Sequence, residues 1–170
     1  MTVPPVGEYR LDPARSRITI AGTHLFGMST VTGTFALTGG RIVVAEPVTD
    51  SLAEAEIDAA SFASGSRTRD DEIRSRRFLH SRDHPLITFT GGRVYEEAQR
   101  WLLAGTLTVR DTARKVVSAI ENTHIEDGLF TARATTVIDR TAFGLTYGQR
   151  MGGGREFDLT LEITAVLSRT

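Results

Sequence analysis

The residues of this chain whose types can support chemistry are few, and the histidines are the most informative of them. The chain has no cysteine, which excludes disulfides, thiolate metal sites and cysteine nucleophiles. His80 and His84 stand four residues apart, a spacing that can hold a metal ion when both lie on one helix. Asp83 and Pro85 argue against a helix that continues through this pair, and His124 has no partner at a metal-ligand spacing. We therefore expect no metal site and no catalytic cofactor.

His24 and Arg69 are the two polar residues for which a role in ligand binding can be argued. His24 shares a strand face with Ile18 and Ile20. A histidine there is either a hydrogen-bonded core residue or a polar group that meets a ligand head at the mouth of a pocket. Arg69 belongs to an arginine-rich segment, residues 67–82, whose acidic residues offset most of its charge. This segment is either the solvated face of a helix or a place where arginines meet phosphate or an acidic membrane surface.

Length and charge limit the classes of function. A chain of 170 residues suggests a single domain, residues 1–170, which is large enough to bury a sizeable core. Its formal net charge of −1 lacks the basic excess of a protein that binds nucleic acid over a broad surface. The chain has no apolar window of about 18 residues that would span a membrane. Its first residues also lack the basic and apolar regions of a secretory signal, so we expect a cytoplasmic protein.

Apolar and polar residues alternate with period two through most of the chain, which predicts β-strands. The clearest case places Val31, Phe35 and Leu37 on one face and threonines on the other. Glycines at 39–40 and the residues 126–128 predict hairpin turns. The predicted strands cover residues 17–24, 30–38, 52–59, 87–90, 101–109, 115–123, 130–139 and 157–167. Only the strand at 115–123 gives no indication of which face points inward.

Strands that each have one apolar face must close on themselves or pack as two sheets. Eight strands of this length predict an all-β, mainly antiparallel, eight-stranded barrel. Glycines and alanines recur on its inward face beside phenylalanines. These small residues either leave volume near the barrel axis or mark bulges and the partners of large side chains in a solid core. An empty interior would favour an elongated apolar guest, because each buried methylene contributes about 0.8 kcal/mol.

Residues 66–79 break the alternation and predict one short helix. Ser66 or Thr68 is the candidate N-cap, and acidic residues fall in the first turn. Arg74 and Arg76 fall towards the end, which is the order of charges that the helix dipole favours. We expect this helix to flank an opening of the barrel, where its arginines would meet anionic lipid heads.

Four segments together resemble the YceI-like proteins. The resemblance covers almost the whole chain, and the block at 69–89 is the most specific part of it. The segments are Y-R-L-D at 9–12 with Ser16, R-D-D-E-I-R-S-R-R-F at 69–78 followed by H-P-L-I-T-F at 84–89, G-T-L-T-V at 105–109, and Arg140 with Phe143-Gly144. The resemblance implies an extended, lipocalin-like antiparallel barrel with a helix beside it. It also implies that the barrel binds a long isoprenoid lipid, such as a polyprenyl phosphate or an isoprenoid quinone, in a hydrophobic tunnel.

The combined interpretation is a non-catalytic protein that binds, stores or transports such a lipid. Two alternatives stay open: a lipid-modifying enzyme that uses His24 and Arg69, and a regulatory module with a solid barrel that binds a partner protein. Transient contact with a membrane surface and a homodimer also stay open. The expected ligand-binding residues are Ile18, Ile20, His24, Val31, Phe35, Leu37, Ile57, Arg69, Phe89, Leu103, Leu107, Phe130, Ala132, Ala134, Ile138, Leu159, Leu161 and Ile163.

Overall fold

Nine strands and one α-helix form the described part of this computed structural model, which comprises residues 2–24, 29–146 and 154–168. Three short 3-10 helices, Pro13–Arg15, Val48–Asp50 and Arg140–Phe143, lie between strands. The helix is α1 (Arg67–Arg74). The strands are β1 (Gly7–Leu11), β2 (Arg17–His24), β3 (Ser29–Val44), β4 (Leu52–Ala63), β5 (Leu86–Glu97), β6 (Arg100–Val109), β7 (Thr112–Glu126), β8 (Leu129–Asp139) and β9 (Glu156–Leu167).

Hydrogen bonds between β3 and β4 close the sheet into a barrel in which all paired strands are antiparallel. From β4 the order runs back through β5, β6, β7 and β8 to β9. Both β1 and β2 pair with β3 on one side and β9 on the other, β1 near Ile42 and β2 near Phe35. Since these two strands share one place in the ring, the barrel has eight positions. The predicted all-β eight-stranded barrel with one short helix is confirmed.

Two-residue turns connect the strands from β5 to β8. Residues 98–99, 110–111 and 127–128 each link strands whose flanking residues pair, for example Glu126 with Leu129. Asp127 and Gly128 both have positive φ, 51° and 77°. That backbone matches the right-handed twist of the strands it joins. The turn predicted at 126–128 is therefore a tight hairpin.

The glycine pair at 39–40 is not a hairpin turn, contrary to the prediction. Strand β3 continues through both glycines to Val44 and pairs Gly40 with Ala55. The register with β4 shifts between Leu37 and Gly39, which is the mark of a β-bulge. A Cβ at Gly40 would overlap the carbonyl oxygen of Glu54, so glycine allows the two backbones to approach. The pair bends one long strand.

Helix α1 is shorter than the predicted span of 66–79. Ser66 caps it as expected, accepting a hydrogen bond from the backbone N–H of Arg69. The helix ends at Arg74 because Ser75 is extended and donates from both its hydroxyl and its N–H to the carbonyl of Glu72. Residues 75–79 then form turns that bury Leu79. No helix in the described ranges combines the length and hydrophobicity needed to cross a membrane.

Candidate functional site

The inward faces of the strands build an almost wholly apolar barrel interior. Along β9, for example, Phe157, Leu159 and Leu161 line the interior, whereas Asp158 and Glu162 are exposed outside. This is the alternation of a strand with one face in the core. The interior is not completely filled: the space between the side chains forms two cavities.

The upper cavity lies at the end of the barrel that α1 covers and has a volume of about 110 Å³. Strands supply most of its wall, and Ile73, Phe78 and Leu79 from α1 and the turns after it close the end. Phe143 and Leu145, which follow β8, complete this cover. The segment that interrupts the strand pattern is therefore the lid of the upper cavity.

The lower cavity continues along the barrel axis and has a volume of about 160 Å³. Alanines on two strands, Ala53 and Ala55 on β4 and Ala132 and Ala134 on β8, leave much of this space. Larger side chains from the remaining strands form the rest of the wall. This cavity is the volume near the axis that the recurrent small residues allow.

Ile57, Leu107 and Leu159 line both cavities and form the waist between them. All three are buried, with exposed fractions of 4%, 4% and 8%. Because the same three side chains border both spaces, movement of these side chains would join the two cavities. The arrangement suits a guest that is long and narrow.

The volumes limit how much of a guest the barrel holds without adjustment. A cavity of roughly 150 Å³ lined by Leu, Ile and Phe is known to bind benzene. The lower cavity, at about 160 Å³, therefore has room for a fragment of ring size, and the upper cavity for a smaller one. A long chain must pass the waist and displace side chains as it enters.

The glycines of the interior make room for phenylalanine rings rather than for a guest. A Cβ added at Gly22 would overlap the ring of Phe157, and one added at Gly105 would lie 2.6 Å from the ring of Phe89. The ring of Phe62 occupies the corresponding space at Gly33. The small residues of the interior thus have two different roles. These glycines allow close packing against phenylalanine rings, whereas the alanines leave open volume.

Arg140 is the only cationic side chain among the described residues that line either cavity. It is 3% exposed, and its guanidinium donates from Nε to the carbonyl of Gly154 at 2.6 Å and from Nη1 to that of Leu145 at 2.8 Å. The rings of Phe78 and Phe157 lie 5.6 and 5.9 Å from the guanidinium carbon. Burial lowers the pKa of Arg140, and the charge of the neighbouring Asp139 opposes that effect. Arg140 therefore ties together the segments that close the upper cavity.

Asp139 organises the same end of the barrel from the outside. Its carboxylate accepts hydrogen bonds from the N–H and hydroxyl of Thr141 at 3.0 and 2.6 Å, and from Nε of Arg155 at 2.7 Å. The bond from the Thr141 hydroxyl is the largest cause that lowers the pKa of Asp139, and Arg155 adds to it. The carboxylate thus caps the 3-10 helix that carries Arg140.

The arginines of α1 do not face the cavities. Arg69 is half-buried and donates from Nη1 to the hydroxyl of Ser64 at 3.3 Å, outside both cavity walls. Arg74 donates from Nη2 to the carbonyl of Phe62 at 2.5 Å, which fastens the helix to β4. Asp70 is buried and accepts from the N–H and hydroxyl of Ser64. These groups hold the lid in place.

The structure brings together every predicted aliphatic and aromatic ligand-binding residue except Leu37. Leu37 is buried in the packed core and borders neither cavity. Arg69 is also outside the walls, and the side chain of His24 lies outside the described part of the structure. The upper cavity is lined by Ile18, Ile20, Val31, Phe35 and Ile138, the lower by Phe89, Leu103, Phe130, Ala132, Ala134, Leu161 and Ile163, and both by Ile57, Leu107 and Leu159.

Sequence reasoning missed the residues that reach the cavities from outside the regular alternation. Phe62, Phe78 and Phe143 belong to strand ends and turns, where period two gives no face. In β7 the neighbouring Val116 and Val117 are both apolar, so either face was possible. Val116, Ser118 and Ile120 face the lower cavity. The sequence does draw attention to Arg140, because this arginine and Phe143-Gly144 form one of the segments that resemble a family motif.

The histidines form no metal site within the described residues, where no three potential ligands cluster. The rings of His80 and His84 lie 5.5 Å apart, and each pairs with an aspartate, Asp83 and Asp111 respectively. These contacts are at the surface around the turn after α1 and do not reach the cavities.

Comparison with known proteins identifies similar sequences and folds. A family model described as the YceI-like domain matches residues 9–165. The crystal structure of BcnA from Burkholderia cenocepacia has a TM-score of 0.79 at 18% identity, over 92% of this chain and 99% of that one. A polyisoprenoid binding domain from Saccharophagus degradans, implicated in plant cell wall breakdown, has a TM-score of 0.74 at 13% identity, over 96% and 100%. The YCEI protein of Campylobacter jejuni has a TM-score of 0.68 at 20% identity, over 84% and 88%. No curated protein gives a significant match to the sequence.

Proposed function

The chain belongs to the YceI-like family, and on that premise we propose that it binds, stores or carries a long-chain isoprenoid lipid inside its barrel. The polyprenyl phosphates and isoprenoid quinones are the ligand classes that we consider. One observation carries the proposal: two adjoining cavities follow the barrel axis, and their walls consist almost entirely of Ile, Leu, Val, Phe and Ala. The polyisoprenoid binding domain from Saccharophagus degradans shares this fold, which supports the same class of ligand.

The energetics of an apolar interior favour such a guest. Each methylene that leaves water contributes about 0.8 kcal/mol. Association of a flexible chain costs at least about 4 kcal/mol. Burial of roughly five carbon atoms offsets the lower bound of that cost, and additional buried carbons give net affinity. A lipid with several isoprene units therefore binds without a strong polar contact.

The proposal describes a binding protein and not an enzyme. Catalysis on a lipid needs a base or an electrophile at the reacting atom. Of the two residues considered for that role, Arg69 lies outside both cavity walls. The two cavities favour a lipid-binding barrel over the solid barrel of a regulatory module that binds a partner protein. A cytoplasmic location, a homodimer and contact with membranes stay predictions, for which cell fractionation, light scattering and vesicle sedimentation are the tests.

Mass spectrometry of lipids extracted from the purified protein tests the proposal directly. We expect an isoprenoid to copurify unaltered, and the protein stripped of lipid to take up a prenyl lipid again. Only the folded state binds, so the melting temperature should rise with occupancy. A straight-chain fatty acid of similar length serves as the control for non-specific apolar binding. A stripped protein whose melting temperature does not respond to any prenyl lipid would contradict the proposal.

A further inference from the structure

Ser118 is a buried polar residue in the wall of the lower cavity. It lies on β7 between Val116 and Ile120 of the same inward face and is 7% exposed. Within the described residues its hydroxyl makes no hydrogen bond to another protein group. The only fully enclosed side-chain polar atom without a partner among the described residues is Nε of Arg74, so the Ser118 hydroxyl keeps accessible surface, which we assign to the cavity that it lines. A hydroxyl that borders an apolar cavity and has no protein partner is a position where a guest can supply one.

Thr136 places a second hydroxyl in the same wall. The ladder between β7 and β8 ends where Ala119 pairs with Thr135, so Ser118 and Thr136 are the next residues of the two strands. The Thr136 hydroxyl donates to the carbonyl of Val117 at 2.8 Å, which uses its proton but leaves oxygen lone pairs that can accept. Ser118 therefore offers a donor, and both residues offer acceptors, at one point of a largely apolar cavity.

The charges around the lower cavity exclude an ionic partner for these hydroxyls. Glu54 contributes to the wall, but its carboxylate accepts from Nε of Arg41 at 2.9 Å outside the barrel. Arg140 lines the upper cavity and not the lower one. An anion placed beside Ser118 would lose its hydration with no described cation lining that cavity. A neutral oxygen atom carries no such penalty.

A buried water molecule is a poor alternative partner. Ordered waters in protein interiors typically make about three hydrogen bonds. The described side chains of the lower cavity wall offer these two neighbouring hydroxyls and, next to β4 and apart from them, the hydroxyl of Ser51, which accepts from the N–H of Ala45. A guest that brings its own oxygen on an apolar frame satisfies Ser118 and fills the cavity at once.

We propose that the lower cavity binds the neutral, oxygen-bearing end of an isoprenoid guest, with Ser118 as its hydrogen-bond donor. This inference rests on the proposed function and selects among its ligand classes. A carbonyl oxygen, as in a prenylated quinone, accepts from the Ser118 hydroxyl, and an alcohol of the same tail can donate as well as accept. A prenyl phosphate keeps its charged end out of this cavity. The ring-sized volume of about 160 Å³ suits the quinone ring.

The test compares four probes with one farnesyl tail: a farnesylated benzoquinone, farnesol, farnesyl phosphate and the corresponding hydrocarbon. Each is titrated into stripped wild-type protein, Ser118→Ala and Ser118→Thr. One lost hydrogen bond corresponds to a weakening of roughly 2- to 12-fold. We expect that loss in Ser118→Ala for the quinone and the alcohol only. Ser118→Thr keeps the hydroxyl and should keep the preference for the quinone over the hydrocarbon.

Infrared spectroscopy of the bound quinone provides an independent measurement. A carbonyl that accepts a hydrogen bond absorbs at lower frequency, and this shift should be present in the wild type and absent in Ser118→Ala. Without ligand, Ser118→Ala should melt no lower than the wild type, because the hydroxyl it removes has no partner in the described structure. This separates loss of the contact from loss of the fold.

The outcomes separate this inference from the function on which it rests. If no probe binds the wild type, the proposed function is wrong and this inference with it. If the hydrocarbon binds and Ser118→Ala leaves the quinone affinity and carbonyl frequency unchanged, only the inference is wrong. Equal losses for all four probes, or a loss greatest for the phosphate, would also overturn the role of Ser118 as a donor to a neutral oxygen.

Discussion

Replacement of Ala134 by phenylalanine places a ring in the space where the proposed lipid would lie. Ala134 is on β8, pairs with Ile120 and Leu161 in the neighbouring strands, and lines the lower cavity. That cavity measures about 160 Å³, and one of roughly 150 Å³ accommodates benzene. The added phenyl ring is therefore expected to fill the cavity with the fold intact. Ala132 lies two residues before Ala134 on the same face of β8 and lines the same cavity, so Ala132→Phe should have the same effect.

The size of the effect follows from the lipid atoms that the ring excludes from the lower cavity. A ring of this size takes the place of about five carbon atoms of the guest, which at about 0.8 kcal/mol each represents roughly 4 kcal/mol of binding free energy. At 1.4 kcal/mol for each tenfold change this is an upper bound of roughly 700-fold in Kd. A lipid that adjusts its position in the barrel recovers part of the loss, so we expect a weakening between about tenfold and several hundredfold.

Binding of a radiolabelled full-length prenyl lipid to the stripped protein, followed by extraction, measures this loss. Ala113→Phe provides the matched control, because Ala113 is exposed on β7 and lines neither cavity. Overpacking costs about 1–3 kcal/mol, so circular dichroism and a melting curve must first show that each variant is folded. A folded Ala134→Phe protein that binds the full-length lipid as tightly as the wild type would refute the placement of the lipid in the lower cavity.

Three further predictions test the strand faces, the close packing and the charge at the upper end. Leu161→Asp, on the inner face of β9, should destabilise the protein by at least about 3 kcal/mol, whereas Thr160→Asp on the outer face should cost less than about 1 kcal/mol; equal urea midpoints would show that the faces are assigned wrongly. Gly105→Ala should lower the free energy of unfolding by about 1–3 kcal/mol, because the added Cβ would press on strand backbone. Gly92 has open space around it, so Gly92→Ala should be neutral or stabilising. Similar melting temperatures of the two variants would contradict this prediction. Folding lowers the pKa of Asp139 from its ordinary value of 3.8, so its carboxylate stabilises the protein above that pH and loses this contribution as the pH falls through the lowered pKa. In urea titrations at decreasing pH, Asp139→Asn should therefore lose less stability than the wild type. An equal loss in both proteins would contradict the assignment.

The placement of the lid changes how Arg74 of α1 and Arg76 of the turn after it should be tested. The sequence suggests that Arg74 and Arg76 meet anionic lipid heads, but the guanidinium of Arg74 is committed to the carbonyl of Phe62. Reversal of its charge would loosen the helix from β4 whatever the lipid does. Arg76 is exposed, so its replacement by glutamate isolates a surface effect. The role of this helix at an opening stays a prediction, whereas its role as a cover follows from Ile73 and Phe78 in the cavity wall.

Local periodicity was sufficient to determine the barrel and most of its inner face. In β9 the alternation from Phe157 to Ile163 decides the face by itself, because neighbours in a strand must point to opposite sides. The same holds for the alanines of β8. The prediction from glycines was less successful. Local propensity predicts a turn at residues 39–40, but hydrogen bonding with β4 keeps both glycines within strand β3.

The tertiary structure alone decided where the interior is full and where it is empty. Whether a small residue leaves a void depends on the side chain opposite it, which comes from another strand. Phe157 fills the space at Gly22, whereas Ala134 borders the lower cavity. The inward face of β7 was undetermined, because Val116 and Val117 are equally apolar and only closure of the barrel selects the parity that buries Ser118. The position of Arg140 likewise depends on carbonyls at Leu145 and Gly154 that only the folded chain brings together. A sequence pattern fixes the face on which a side chain lies, whereas volume and hydrogen-bond partners depend on residues distant in sequence.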